Sequence, residues 1–290
     1  MARALRIEYP GALYHITARG NEKRDIFLTD QDRLLILDLL SKIIKRDNWL
    51  CHAYCLMNNH YHFLIETPDG NLSAGMKSLN SDYAQKFNKE HNRVGHLFQG
   101  RFKAFIIEKE FYLLNVARYV VLNPVRASFV NDPKDWQWSS YRATVGLEST
   151  PKFLTKDYIL RSFSNYYVKA KNRYQNFVTG GLYEPSPFEK IKEGIVLGSD
   201  EFINKIQKFS KDKEKIKEIP IKERMVGRKS LEEIFKTADL DKKKRDLAIA
   251  SARLNGGYSN SEIGRFLNLH NSTISRIVDK KCRIQDTTPL

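Results

Sequence analysis

Apolar and polar positions change period along this chain, and the changes mark out its elements. Residues 14–19 read as a strand closed by Gly20-Asn21. Thr29 then caps an amphipathic run in which Leu34, Leu35, Leu37, Leu39, Leu40, Ile43 and Ile44 recur at helical spacing. Residues 50–57 and 60–66 read as a hairpin turned at Asn58-Asn59, because asparagine tolerates the positive φ that tight hairpins need. In its second strand Tyr61, Phe63 and Ile65 share one face, and His60 and His62 the other. Thr67-Pro68-Asp69-Gly70 breaks the pattern. Residues 72–89 are helical, with Leu72, Met76, Leu79, Tyr83 and Phe87 along one side. A strand over 102–107 and a helix over 110–122 follow, the helix stopped by Pro124. Strand–helix–strand–strand–helix–strand is the order of an α+β, ferredoxin-like βαββαβ sheet with helices on one face, to which the helix carrying Tyr119 is an addition.

Beyond Pro124 the pattern weakens. The aromatic segment Trp136-Gln137-Trp138-Ser139-Ser140-Tyr141 is expected to pack back on the first domain, and residues 147–190 show no clear period. Lysines crowd residues 205–244, which read mostly as a solvated charged linker. Order returns with a helix over 246–254 ended by Asn255-Gly256-Gly257. Ser259 and Glu262 then form a capping box for a helix over 261–267, and Asn268-Leu269-His270 turns into a third helix over 272–278. Two short helices so joined describe a helix-turn-helix, with Asn271, Ser272, Thr273, Ser275 and Arg276 facing a major groove. A plain three-helix domain is the alternative. The expected boundaries are 1–146 for the first domain, 147–240 for a connecting, charged helical region and 241–284 for the helix-turn-helix.

Composition narrows the partners. The 290 residues carry 49 Lys+Arg against 34 Asp+Glu, a formal net charge of +15. Such a field attracts polyanions, either nucleic acid or an anionic membrane. No apolar run approaches the ~20 residues that span a bilayer, and the first residues lack a signal peptide's apolar core. Nucleic acid and a cytoplasmic location are therefore the expectation. A basic surface that merely aids solubility is the other reading of the charge. Three cysteines make no disulfide framework.

The His60/His62 pair is the candidate chemistry, since two imidazoles on one strand face can reach one metal ion. A zinc site joining them to Cys51 and Cys55 is disfavoured, because residues four apart on a strand lie roughly 13 Å from each other. Three readings of the pair compete. The first is ordinary strand histidines. The second is a cupin-type centre, with His60-x-His62 followed by Glu66, but this needs a second histidine strand in an all-β barrel. The third is phosphodiester chemistry. In it Asn115, Tyr119 and Asn123 form one polar stripe along their helix, opposite Leu114, Ala117 and Val121. A divalent ion would polarise a phosphate oxygen and Tyr119 would attack phosphorus.

Several blocks occur in a familiar order: Tyr14-His15-Ile16-Thr17-Ala18-Arg19-Gly20-Asn21, Met57-Asn58-Asn59-His60-Tyr61-His62, Leu97-Phe98-Gln99-Gly100-Arg101-Phe102-Lys103, Arg118-Tyr119-Val120-Val121-Leu122-Asn123-Pro124-Val125-Arg126-Ala127 and Trp138-Ser139-Ser140-Tyr141. In these blocks the first ~145 residues resemble the single-tyrosine HUH transposases, most closely the REP-associated tyrosine transposases; the C-terminal helices resemble the DNA-binding domain of the replication initiator DnaA. The resemblance implies His60, His62 and Asn123 as ligands of Mg²⁺ or Mn²⁺. It also implies Tyr119 as the nucleophile that forms a 5′-phosphotyrosine, and single-stranded DNA with a nearby hairpin as the substrate. Where relatives often have proline before Asn59, this chain has Asn58. Arg19, Asn21, Lys23, Arg24, Arg101 and Lys103 flank the expected site and could hold phosphates, solvated surface charge being the other reading of each. Duplex recognition through the helix-turn-helix, and a monomer or homodimer, complete the expectation. The rival function is a DNA-binding regulator that does not need cleavage.

Overall fold

The computed structural model describes residues 7–192, 194–209, 229–236, 241–254 and 256–285. They fall into two compact units, one running to Phe202 and one from Ile203 onward.

In the first unit β1 (Ala12–Arg19), α1 (Asp30–Arg46), β2 (Leu50–Leu56), β3 (His60–Thr67), α2 (Leu72–Glu90) and β4 (Lys103–Ile107) follow in the expected order. Their strands lie β2-β3-β1-β4, each antiparallel to its neighbour, which is the ferredoxin-like arrangement. A short parallel strand pairs with β4 at Val196 and Leu197. No periodicity announces it.

Strand alternation sorts the residues to two faces. Tyr61, Phe63 and Ile65 are fully buried, and the Tyr61 hydroxyl donates to Asn80 Oδ1 of α2 at 2.6 Å, which fixes that face as the α2 side. Leu72, Met76, Leu79, Tyr83 and Phe87 of α2 are all buried, as their spacing predicts. On α1 the buried apolar residues are Ile36, Leu39, Leu40 and Ile43, with Leu34 turned outward.

The other face is covered as well. The tyrosine helix, α3 (Lys109–Arg126), packs Leu113, Val116, Ala117, Val120 and Val121 against Leu13, Ala53, Cys55, Leu64 and Ile107 of the sheet. It does not stop at Pro124. Proline removes the amide that would serve the Val120 carbonyl. Asn123 replaces it: its Nδ2 donates to Tyr119 O at 2.8 Å and reaches Val120 O at 3.3 Å. The helix therefore continues to Arg126.

The first unit also runs past residue 146. After α4 (Tyr141–Val145), α5 (Asp157–Arg161) and α6 (Tyr167–Gly180) bury Ile159, Leu160, Ala170, Tyr174 and Val178 in the same core as α3. The aromatic segment packs back as expected: Leu56 N donates to Trp138 O, Ser140 N donates to Tyr54 O, and Ser139 pairs with Cys55.

The hairpin turn forms at Asn58 and Asn59, yet neither residue has positive φ. These asparagines work as acceptors and donors instead. Ile26 N donates to Asn58 O at 3.0 Å, Gly20 N donates to Asn59 O at 2.8 Å, and Asn59 Nδ2 donates to Lys23 O at 2.9 Å. The turn is thereby fastened to the loop after β1. Gly20 is required there, because an added Cβ would lie 2.0 Å from Arg24 O.

Thr29 caps α1 in a full capping box with Asp32. Burial raises the Asp32 carboxyl's pKa, but the His91 Nε2 contact at 2.8 Å and the Thr29 and Leu28 N–H donors outweigh it and hold the carboxyl below its usual range. A depressed folded pKa adds stability above the unfolded value of about 3.9, and this is lost as pH falls through the folded value. Asp32→Asn is expected to cost about 2 kcal/mol at pH 7. Urea melts at pH 7 and pH 3 test this: the gap between variant and wild type must narrow in acid, and an equal gap at both pH values refutes it.

The second unit contains a five-residue helix, α7 (Leu231–Phe235), then α8 (Lys242–Leu254), α9 (Asn260–Leu267) and α10 (Asn271–Gln285). Phe235, Ile249, Ala252, Tyr258, Ile263, Ile274 and Val278 form its core. Ser259 and Glu262 make the expected capping box, and Asn268 takes the left-handed conformation (φ 53°) that ends α9. Helix α8 begins at Lys242 rather than 246, and α10 runs past residue 278. Most of the expected charged linker, residues 210–228 and 237–240, lies outside the described residues.

Candidate active site

Cross-strand register builds the site on the α3 face of the sheet. Directly opposite residues share a face. His62 lies between Cys55 and Thr17, and Thr17 in turn faces Lys103; His60 faces Arg19. The two imidazoles stand nearly perpendicular, with ring centroids 4.9 Å apart. From above, Tyr119 of α3 meets the His62 ring edge-on at 6.1 Å.

Each histidine has one nitrogen engaged from behind. His60 Nδ1 contacts Asn59 Oδ1 at 2.7 Å, and His62 Nδ1 contacts His15 Nε2 at 2.9 Å. His62 Nε2 is buried with no hydrogen-bond partner among the described residues. A buried imidazole nitrogen without a partner is costly unless something takes its lone pair. Burial lowers the pKa of His62 well below the usual value, with His15, His60 and Arg19 adding to the effect. Burial and then Arg19 lower His60 to about 4. Both rings are thus neutral at physiological pH, the form that ligates metal.

His15, which stands in the first of the sequence blocks, is brought into the site by the fold. It is 3 % exposed, lies stacked on Phe105 and sits 4.5 Å from the Phe188 ring, and Tyr119 approaches it edge-on at 6.0 Å. Burial lowers its pKa to about 3. Phe188, from a stretch without periodicity, also meets Tyr119 at 5.0 Å, and the Arg126 guanidinium lies 5.3 Å from the Tyr119 ring centroid. Only the strand register could have revealed His15; nothing in the local pattern signals Phe188.

Asn123 stands one turn beyond Tyr119 with Nδ2 committed to the helix carbonyls, so Oδ1 is the atom it can offer a ligand. Two imidazole nitrogens and one amide oxygen are a donor set for a divalent ion. Glu66, on the same strand face, is bound instead by His52 at 2.8 Å and Lys109 at 2.7 Å. Cys51 and Cys55 are buried thiols on opposite faces, because the bulge between Cys51 and Ala53 shifts the register.

Of the expected DNA contacts, Arg19, Asn21, Lys23, Arg24, Arg101 and Lys103 are all exposed, and Arg24 is ion-paired with Glu22 at 2.7 Å. The block 97–101 is drawn against the end of β1 by Gln99 N donating to Arg19 O and Asn21 N donating to Leu97 O. In the second unit Asn271, Ser272 and Arg276 are exposed at the start of α10, and Thr273 and Ser275 are half-buried. Asn271 Nδ2 donates to Ser261 Oγ, and Ser272 Oγ contacts His270 Nδ1, so both side chains serve the turn.

Residues 9–123 match the family described as "Transposase IS200 like". A Haemophilus influenzae protein, named as a candidate REP-associated tyrosine transposase, is 24 % identical over 160 residues, covering 49 % of this chain and 86 % of that protein. The solved structure of a REP-associated tyrosine transposase bound to a REP hairpin is 19 % identical, with a TM-score of 0.45, covering 54 % of this chain and 93 % of that one. Among the described residues no helix is long and apolar enough to cross a membrane. Residues 9–123, which hold β1 to β4, both histidines and Tyr119, are the part of the chain that is similar to the IS200-like transposase family.

Proposed function

We propose that this protein binds hairpin-bearing single-stranded DNA and breaks and rejoins it through Tyr119. The observation that carries this reading is the convergence of His60, His62 and the Tyr119 ring on one sheet face, with His62 Nε2 buried and without a partner among the described residues. His60, His62 and Asn123 would hold Mg²⁺ or Mn²⁺, which when bound would polarise a non-bridging phosphate oxygen. Tyr119 Oη attacks phosphorus, the P–O3′ bond breaks, and the phosphate stays on the 5′ carbon as a phosphotyrosine. The phenol's proton passes through solvent to the departing 3′ oxygen, and the reverse attack by a 3′-hydroxyl rejoins the strand. His15 accepts from His62 Nδ1–H and so keeps the Nε2 lone pair facing the site. Arg19, Asn21, Arg101 and Lys103 hold the strand by its phosphates. Start-of-helix residues Asn271, Ser272, Thr273, Ser275 and Arg276 give the second unit a duplex-binding face.

The test is covalent trapping: labelled single-stranded hairpin DNA with Mn²⁺, run on a denaturing gel. A labelled adduct that EDTA prevents supports the reading. Tight binding with no adduct on a broad panel of hairpins overturns it in favour of a regulator without cleavage.

A further inference from the structure

The Trp138-Ser139-Ser140-Tyr141 block is explained by the fold at three of its four positions. Ser139 pairs with Cys55, Ser140 Oγ accepts from Tyr54 N at 3.0 Å, and Tyr141 is buried in the α3 core. The Trp138 carbonyl also serves β2, but its indole is only half-buried and lines a cavity of about 550 Å³. Arg33 lines the same cavity, with its guanidinium carbon 5.4 Å from the Trp138 ring centroid.

Arg33 is 9 % exposed, and its Nε is buried without a partner among the described residues. The charges around the cavity cancel in pairs, Arg33 with Asp30 at 3.3 Å and Arg142 with Glu148 at 3.0 Å. That leaves the carboxylate of Asp135 in excess. A net negative wall repels a phosphate but accepts N–H donors. The Arg33 guanidinium lies over one face of the Trp138 ring, so a planar heterocycle would stack on the face turned away from it. A short run of hydrogen bonds links the cavity wall to the candidate active site. Arg33 Nη2 donates to Asn58 Oδ1 at 2.9 Å, and the next residue, Asn59, holds His60 Nδ1.

We propose that this cavity takes one unpaired nucleobase of the bound strand, stacked on the Trp138 indole and donating an N–H to Asp135. The inference rests on the DNA-binding reading above and adds to it a subsite for a single base, away from the phosphate chemistry.

The test measures the affinity of a labelled hairpin flanked on both sides by unpaired nucleotides, which are replaced one at a time by abasic sites. Wild-type protein, Trp138→Ala and Trp138→Phe are compared by fluorescence anisotropy. In the wild type, one abasic position is expected to weaken binding about ten-fold. Trp138→Ala should lose about as much on the intact strand and nothing further at that position, while Trp138→Phe keeps most of the affinity. The abasic probes leave the protein untouched, so their penalty cannot come from misfolding. Unchanged affinity in Trp138→Ala overturns the proposal, as do equal abasic penalties in wild type and variant. If either result comes with covalent adduct still forming, only the base subsite fails. Wild-type protein that binds none of the probes overturns both readings.

Discussion

Tyr119→Phe is expected to abolish the covalent DNA adduct while leaving affinity for the hairpin within about three-fold of wild type, since phosphate and base contacts carry the binding. The substitution removes one oxygen and keeps the ring that meets His62, His15 and Phe188. Neither the helix nor the aromatic cluster loses packing. Tyr112→Phe is the control. Tyr112 lies on the same helix and packs against the same core, but the ring that meets His15 and His62 is that of Tyr119, so the Tyr112 variant should form adduct at the wild-type level. His62→Ala should bind DNA and form no adduct, because the partnerless Nε2 goes with the ring. Adduct surviving Tyr119→Phe would show that another residue is the nucleophile and sink the assignment. Adduct lost in Tyr112→Phe as well would point to a disturbed helix rather than a missing hydroxyl.

Much of this site was legible in the sequence because a strand's period of two is geometric. Once residues 60–66 read as a strand, His60 and His62 had to share a face. The four-residue step from Tyr119 to Asn123 is just as strict on a helix. What stayed hidden depends on pairing between strands and on local exceptions. His15 reaches His62 only through the antiparallel register of β1 and β3, which sequence spacing does not encode. The bulge between Cys51 and Ala53 puts two cysteines on opposite faces although an even spacing predicts one face. Pro124 stops most helices, but here the preceding asparagine supplies the missing donor. In helix α6 the buried Ala170, Tyr174 and Val178 share the helix with exposed Tyr167 and Val168 and half-buried Phe177, which blur the stripe. Positive φ at Asn58-Asn59 was the wrong reason for a turn that does form, because the asparagines fasten it through hydrogen bonds.

His15→Phe is expected to weaken Mn²⁺ binding by about 10- to 100-fold, the range seen when a partner behind a ligating histidine is removed. Phenylalanine can keep the stack between Phe105 and Phe188 but offers no acceptor to His62 Nδ1. The His62 ring then loses the contact that fixes its tautomer, and the Nε2 lone pair is no longer held toward the site. His15→Gln is the rescue, because its amide oxygen can accept from Nδ1–H, and affinity should return to within a few-fold of wild type. Two readouts separate positioning from general damage. Mn²⁺ titration followed by electron paramagnetic resonance gives the affinity without any DNA. Long-range ¹⁵N–¹H spectra of the metal-free protein give the His62 tautomer, which should be Nδ1–H in wild type and His15→Gln, and mixed in His15→Phe. Wild-type Mn²⁺ affinity in His15→Phe would reduce His15 to a core aromatic. A loss that His15→Gln fails to restore, with the tautomer unchanged, would locate the effect in packing around Phe188 and not in the bond to His62.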